Sequence, residues 1–120
     1  MSVKKKFITM LIIELEDFHE DLSVLLADYR QRYQRREISE TVYKENRSTL
    51  REAQNGIEQI QDRLLDIGPD RFENLDSLAA AVKSLVNEIF KDCAIPKMDQ
   101  LFINKKINKV QKYLSDDIKI

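Results

Sequence analysis

Glu16 and His19 stand three residues apart in a stretch of helical periodicity, so a carboxylate and an imidazole share one helix face. Di-iron four-helix bundles hold metal with that Glu-x-x-His spacing. Such a centre draws on a second Glu-x-x-His and further glutamates, however, and His19 is the only histidine in the sequence. Glu16 also follows the apolar seam residue Leu15 on a side that faces solvent. The pair therefore reads as part of a solvated acidic face, and no metal or other cofactor is expected.

Other catalytic arrangements fare no better. No Cys or Ser is fixed near His19 by its position in the sequence, and no Gly-rich loop is present to cradle phosphate, since Gly56 falls inside a helix and Gly68 ends one. Carboxylates are plentiful, but nothing singles out one pair for acid–base work. Cys93 is the only cysteine, which excludes an internal disulfide and a Cys-rich zinc site; it reads as a small buried apolar residue. The expectation is a protein that is not an enzyme and has no evident small-molecule substrate.

The strongest local chemistry is a run of arginine and tyrosine, Tyr29-Arg-Gln-Arg-Tyr-Gln-Arg-Arg36, continued by Tyr43, Lys44, Arg47 and Arg51. Residues 30 to 51 hold seven basic and three acidic side chains. Guanidinium forks and aromatic faces together can grip phosphates and bases. Tyr29, Arg30, Arg32, Tyr33, Arg35, Arg36, Tyr43, Arg47 and Arg51 are accordingly the candidate contacts for a partner or for nucleic acid. A solvated tip whose charges pair with Glu37, Glu40 and Glu45, or with a neighbouring chain, is the simpler alternative. Residues 14 to 28 carry six acids and no Lys or Arg, whereas the C-terminal segment is basic through Lys105, Lys106, Lys109 and Lys112. That polarity suggests charge-complementary packing between chains or a steered partner.

These residues must be positioned by helices. Ile8, Leu11, Leu15, Phe18, Leu22, Leu25 and Tyr29 recur at alternating steps of three and four, and so do Tyr43, Asn46, Leu50, Ala53, Ile57, Ile60, Leu64 and Ile67. A strand cannot keep that period, and the pattern predicts an antiparallel hairpin of two long helices with coiled-coil packing, about 3–67. With Ser39 as an N-cap and Glu40 in the first turn, the reversal falls at Arg36 to Ser39, and facing seam residues have numbers that sum to about 75. Tyr29 then lies near Asn46, whose buried amide would fix register with the Tyr29 hydroxyl as partner.

Gly68-Pro69 stops the second helix, with Gly68 expected at the C′ position. Asn74 or Asp76 caps a third helix bearing Leu78, Val82, Leu85, Ile89 and Phe90. Pro96 separates it from a fourth, Lys97 to Leu114, with Ile103, Ile107, Val110 and Leu114 in register, Met98, Leu101 and Phe102 broadening its start, and residues 115–120 fraying. Gly56 in a helix interior suggests close approach of another helix, with Phe18 above it.

The shorter pair, about 75–114, cannot cover the whole hairpin, so the end around Tyr29 to Arg47 should project as an arm or be covered by another subunit. At the other end, Phe7, Met10, Ile12 and Ile13 lie off the seam and are candidate dimer contacts if the shorter helices leave them bare.

The totals agree with this organisation. A sequence of 120 residues with 42% hydrophobic content can build one core, and 2 Gly, 2 Pro and 34% charged residues match long surface-bearing helices. The expected fold is an all-α, four-helix bundle-like single domain. Net charge of −1 provides no global pull towards nucleic acid or anionic lipid. Lys4, Lys5 and Lys6 before the apolar run Phe7 to Ile13 superficially resemble a signal peptide, but the run ends at Glu14 with no small-residue cleavage site and falls far short of the roughly 20 residues that span a bilayer. A cytoplasmic protein is expected. The function expected from these features is protein–protein interaction or assembly, with itself as a homodimer or with another helical protein; the alternative is nucleic-acid binding at the basic tip.

Overall fold

The computed structural model describes residues 2–118, which form an all-helical bundle with a long N-terminal helix pair. Helix α1 spans Val3–Gln34, α2 Glu40–Asp66, α3 Leu75–Asp92 and α4 Lys97–Ile118. The Ser2 hydroxyl accepts from the Lys5 amide at 3.2 Å and the Ser39 hydroxyl from the Val42 amide at 3.2 Å, so both long helices start on a serine cap.

The reversal between α1 and α2 works without glycine. Glu37 N–H donates to the Arg32 carbonyl at 2.9 Å and Arg36 N–H to the Tyr33 carbonyl at 3.0 Å, the paired bonds of a Schellman motif. That motif places its C′ residue in the left-handed region, and here Arg36 takes it with φ 61°.

The end of α2 differs from the expected glycine C′ cap. Ile67 leaves the helix in an extended conformation, and Gly68 is extended as well, with φ −91° and ψ 95°. Pro69 supplies the reason, because its ring disfavours helical geometry in the residue before it. A 3-10 turn at Pro69–Arg71 follows, held by the Phe72 amide on the Pro69 carbonyl. Asn74 then caps α3 through a capping box: Ser77 N–H donates to the Asn74 side chain at 2.9 Å, and Asn74 N–H to the Ser77 hydroxyl at 3.2 Å. Helix α4 runs past the expected end at Leu114 to Ile118; the remainder of the segment expected to fray lies outside the described residues.

The helices run up, down, up and down, and each packs on its sequence neighbours, with α4 closing the ring on α1. One buried cluster joins them. Leu11, Leu15, Ile57, Ile60, Leu64, Leu78, Val82, Val86, Ile103 and Ile107 lie at its centre. Phe7 belongs to the same core and is fully buried, which removes it from the candidate dimer contacts. Cys93, expected to be buried, is half-buried: it packs against the core from the C-cap position of α3.

Gly56 is a point of close approach, but the neighbour is Ile95 in the α3–α4 connection, where a Cβ at position 56 would overlap the Ile95 side chain. Phe18 instead meets Phe102 of α4 with ring centroids 4.5 Å apart. The buried set stops at Leu22 on α1 and resumes at Ala53 on α2, and no residue from 23 to 52 is buried. The hairpin beyond those two residues is therefore an arm, and the molecule measures 54 × 29 × 20 Å.

Candidate interaction surface

The contacts that align α1 with α2 follow the expected antiparallel register. His19 Nε2 lies 3.0 Å from Glu58 Oε1, the Gln54 amide donates to the Ser23 hydroxyl at 2.7 Å and to the His19 carbonyl at 3.2 Å, and Tyr33 meets Tyr43. Gln54 is the buried polar residue of the hairpin, the part expected of Asn46. Asn46 is only half-buried and donates to the Val42 carbonyl one turn back at 2.8 Å rather than to Tyr29. Gln54 stands four residues after Leu50 and three before Ile57, at the edge of the seam, where its spacing alone does not separate a buried amide from a surface one.

At the end of the arm the rings of Tyr33 and Tyr43 stack, 4.7 Å apart and 6° from parallel, across the two helices. Arg47 sits over the Tyr43 ring at 5.3 Å, a cation–π contact. The Arg30 guanidinium, joined by that of Arg47, holds the Tyr43 hydroxyl below the usual tyrosine pKa, because a nearby cation favours the phenolate. Arg32 pairs with Asp28 at 3.2 Å and Lys44 with Glu40 at 2.8 Å. Arg30 and Arg51 line one shallow cleft with Ser23, Leu26, Ala27 and Gln54. Tyr29 is half-buried between the helices, whereas Arg35 and Arg36 are exposed at the turn. The structure thus brings Arg30, Tyr33, Tyr43 and Arg47 into one cluster, leaves Arg35 and Arg36 free-standing at the apex, and sets Arg51 lower on the arm.

A second surface lies where the bundle steps down to the arm. Met98 and Leu101 are 76% and 54% exposed at the start of α4, with Phe102 beside them and Asn104, Lys105 and Asn108 around the same shallow depression. Leu25, expected in the seam, is instead 45% exposed, and Leu26 is more buried than it. A third apolar area is at the base, where Ile12 lines a cleft with Leu65, Thr9 and Ile67. Of the other candidate dimer contacts there, Met10 and Ile12 are half-buried against the core and Ile13 is 51% exposed.

The acidic first helix and basic last helix meet within the chain. Lys106 Nζ lies 2.8 Å from Glu14 Oε2 and also 5.1 Å from the centre of the Phe102 ring. The Lys106 hydrogen bond, despite partial burial, holds the Glu14 carboxyl below its usual pKa. Part of the charge polarity expected to act between chains is therefore satisfied inside one.

Among the described residues, no group of three or more His, Cys, Asp or Glu side chains is placed to hold a metal ion, and no helix is long and apolar enough to cross a membrane. Glu16 is exposed and His19 turns to Glu58. What the arrangement offers is exposed apolar area beside organised charge. No family model, curated protein or solved structure matches the chain.

Proposed function

We propose that this protein is a non-enzymatic assembly module that associates with a second copy of itself through the projecting arm. The observation that carries the proposal is the unburied stretch from residue 23 to 52, two helices long and without a third or fourth helix to cover it. A two-helix stretch buries only one stripe of each helix, and its remaining apolar residues gain by being covered. Val24 and Leu25 are such residues, with Met98 and Leu101 at the start of α4 exposed below them. A cytoplasmic setting belongs to the same proposal, since the single Cys93 has no disulfide partner in the chain.

Light scattering across a broad concentration range tests this reading. The mass of two chains is expected, falling towards one on dilution; the mass of one chain at every concentration rejects self-association.

A second reading, nucleic-acid binding at the tip, has in its favour the exposed Arg35 and Arg36. It has less support, because Tyr33 and Tyr43 occupy each other's faces and the chain carries no net positive charge to draw a polyanion. Binding of a single-stranded oligonucleotide that weakens steeply with salt would establish it, and no binding at low salt would remove it.

A further inference from the structure

We propose that the second copy lies antiparallel along the strip of α1 that α4 leaves open, so that the basic tip of each chain meets the acidic strip and apolar step of the other. The inference rests on the self-association reading above and adds its geometry.

The strip is defined by what α4 already covers. Glu14 and Phe18 of α1 are met by Lys106 and Phe102 of α4, two antiparallel layers one helical turn apart. Steps of three and four carry the same α1 face onward through Asp21, Leu25, Asp28 and Arg32; in the register of those two layers α4, which begins at Lys97, ends level with residue 23, so Asp21 lies beside its first turn and Leu25, Asp28 and Arg32 lie beyond it. All four of these residues are exposed. The strip thus presents carboxylate, leucine, carboxylate and guanidinium in order, with bare Met98 and Leu101 at its lower end.

Charge selects the occupant and its direction. Of the acids in residues 14–28, Asp21 and Asp28 lie on the strip and Glu14 is already held by Lys106, while residues 30–51 hold seven basic and three acidic residues. Two arms laid side by side in parallel bring basic tip against basic tip. Laid antiparallel about a two-fold axis between Leu25 and Asp28, they set the two Leu25 side chains near each other and Asp21 against the partner's Arg32, which exchanges its exposed, weak pair with Asp28 of its own chain for this one. Arg35 then reaches the level of the partner's Phe18, beside the apolar step. The pairing is reciprocal, as a two-fold interface requires.

The step is needed for size as well as sign. From Ser23 to Gln34 the arm is about 18 Å long at 1.5 Å per residue, and one helix face along it is small beside the roughly 800 Å² that each partner of a stable complex buries. Reaching Met98, Leu101 and Phe102 on both sides adds apolar area at each end.

Cysteine pairing tests the register in the full chain with Cys93→Ser as background. Chains carrying Asp21→Cys and chains carrying Arg32→Cys are oxidised separately and as a mixture, with helicity checked by circular dichroism and mass by light scattering. The mixture is expected to give covalent dimers, and each variant alone to give none. Disulfide dimers from Arg32→Cys alone indicate parallel arms and overturn the proposal. Two-chain mass without a cross-link in the mixture overturns the register while leaving self-association standing, and one-chain mass removes both. As a charge-based counterpart, Asp21→Arg should weaken dimerisation by about tenfold and Asp21→Arg with Arg32→Asp should restore it; equal affinity in all three chains contradicts the pairing.

Discussion

The Ile95 side chain lies where the Cβ of residue 56 would be, so Gly56 is the position at which the α3–α4 connection comes down onto α2. Ile95 is itself buried, and its branched Cβ limits the rotations by which it could move aside. Ala at position 56 gains about 1 kcal/mol of helix propensity but must displace that side chain, a change that commonly costs about 1–3 kcal/mol. Gly56→Ala is therefore expected to destabilise the fold on balance, by about 1 kcal/mol in urea denaturation. Adding Ile95→Ala should give a double variant more stable than the two separate losses predict; strict additivity contradicts the contact.

Gln54 ties α2 to α1 at the point where the bundle gives way to the arm, donating to the Ser23 hydroxyl and the His19 carbonyl. Removing the amide takes away two hydrogen bonds in a buried place. Gln54→Ala is expected to cost about 1–2 kcal/mol. The same substitution at the exposed Gln59 of α2 is the control, and an equal loss at both positions would contradict the role given to Gln54.

The Glu14–Lys106 pair gives the stability an acid dependence of known sign. Lys106 holds the Glu14 carboxyl below its ordinary pKa of 4.5 in the folded chain, so folding disfavours its protonation. The contribution is present at neutral pH, above the unfolded value. It declines as pH drops below that value and is gone once pH has fallen through the folded one. Glu14→Gln should cost under about 1 kcal/mol at pH 7, with the gap to the native chain closing in acid. A gap that stays constant down to low pH assigns the loss to packing instead of charge.

Tyr43 offers an optical probe of the tip. With the Arg30 and Arg47 guanidinium groups beside its hydroxyl, it should ionise at lower pH than an ordinary tyrosine. Ultraviolet titration of the four tyrosines is expected to show one early component that is absent in Tyr43→Phe and moves upward in Arg30→Gln. A titration unchanged by Arg30→Gln contradicts the influence given to Arg30.

The hairpin, its turn and the four-helix class are legible in the sequence because the 3-4 spacing of Ile8 to Leu22 and of Ala53 to Leu64 is the spacing of the buried residues themselves. The pattern misleads at Leu25 for a reason contained in the same numbers. An alternation of three and four averages 3.5 residues per turn against 3.6 for a straight helix, so the stripe drifts by about 20° every seven residues. Leu25 is the seam position carried furthest from α2, and Leu26 comes in beside it.

Other features are hidden because they depend on elements distant in sequence. Gly56 signals close approach, but only the fold shows that Ile95 makes it. The apolar start of α4 is visible as composition, whereas its exposure follows from where Phe102 docks on Phe18. Gln54 escapes notice because a polar residue at a seam edge resembles a surface one until its partners, Ser23 and His19, are seen across the helix pair.

Hydrogen–deuterium exchange of the full chain at concentrations well above and well below the dimerisation midpoint tests most directly the claim that the arm is the working surface. Slower exchange at high concentration is expected in residues 21–36 and in the first turn and a half of α4, with the base around Ile12 and Leu65 unchanged. Exchange independent of concentration, or protection confined to the base, contradicts it.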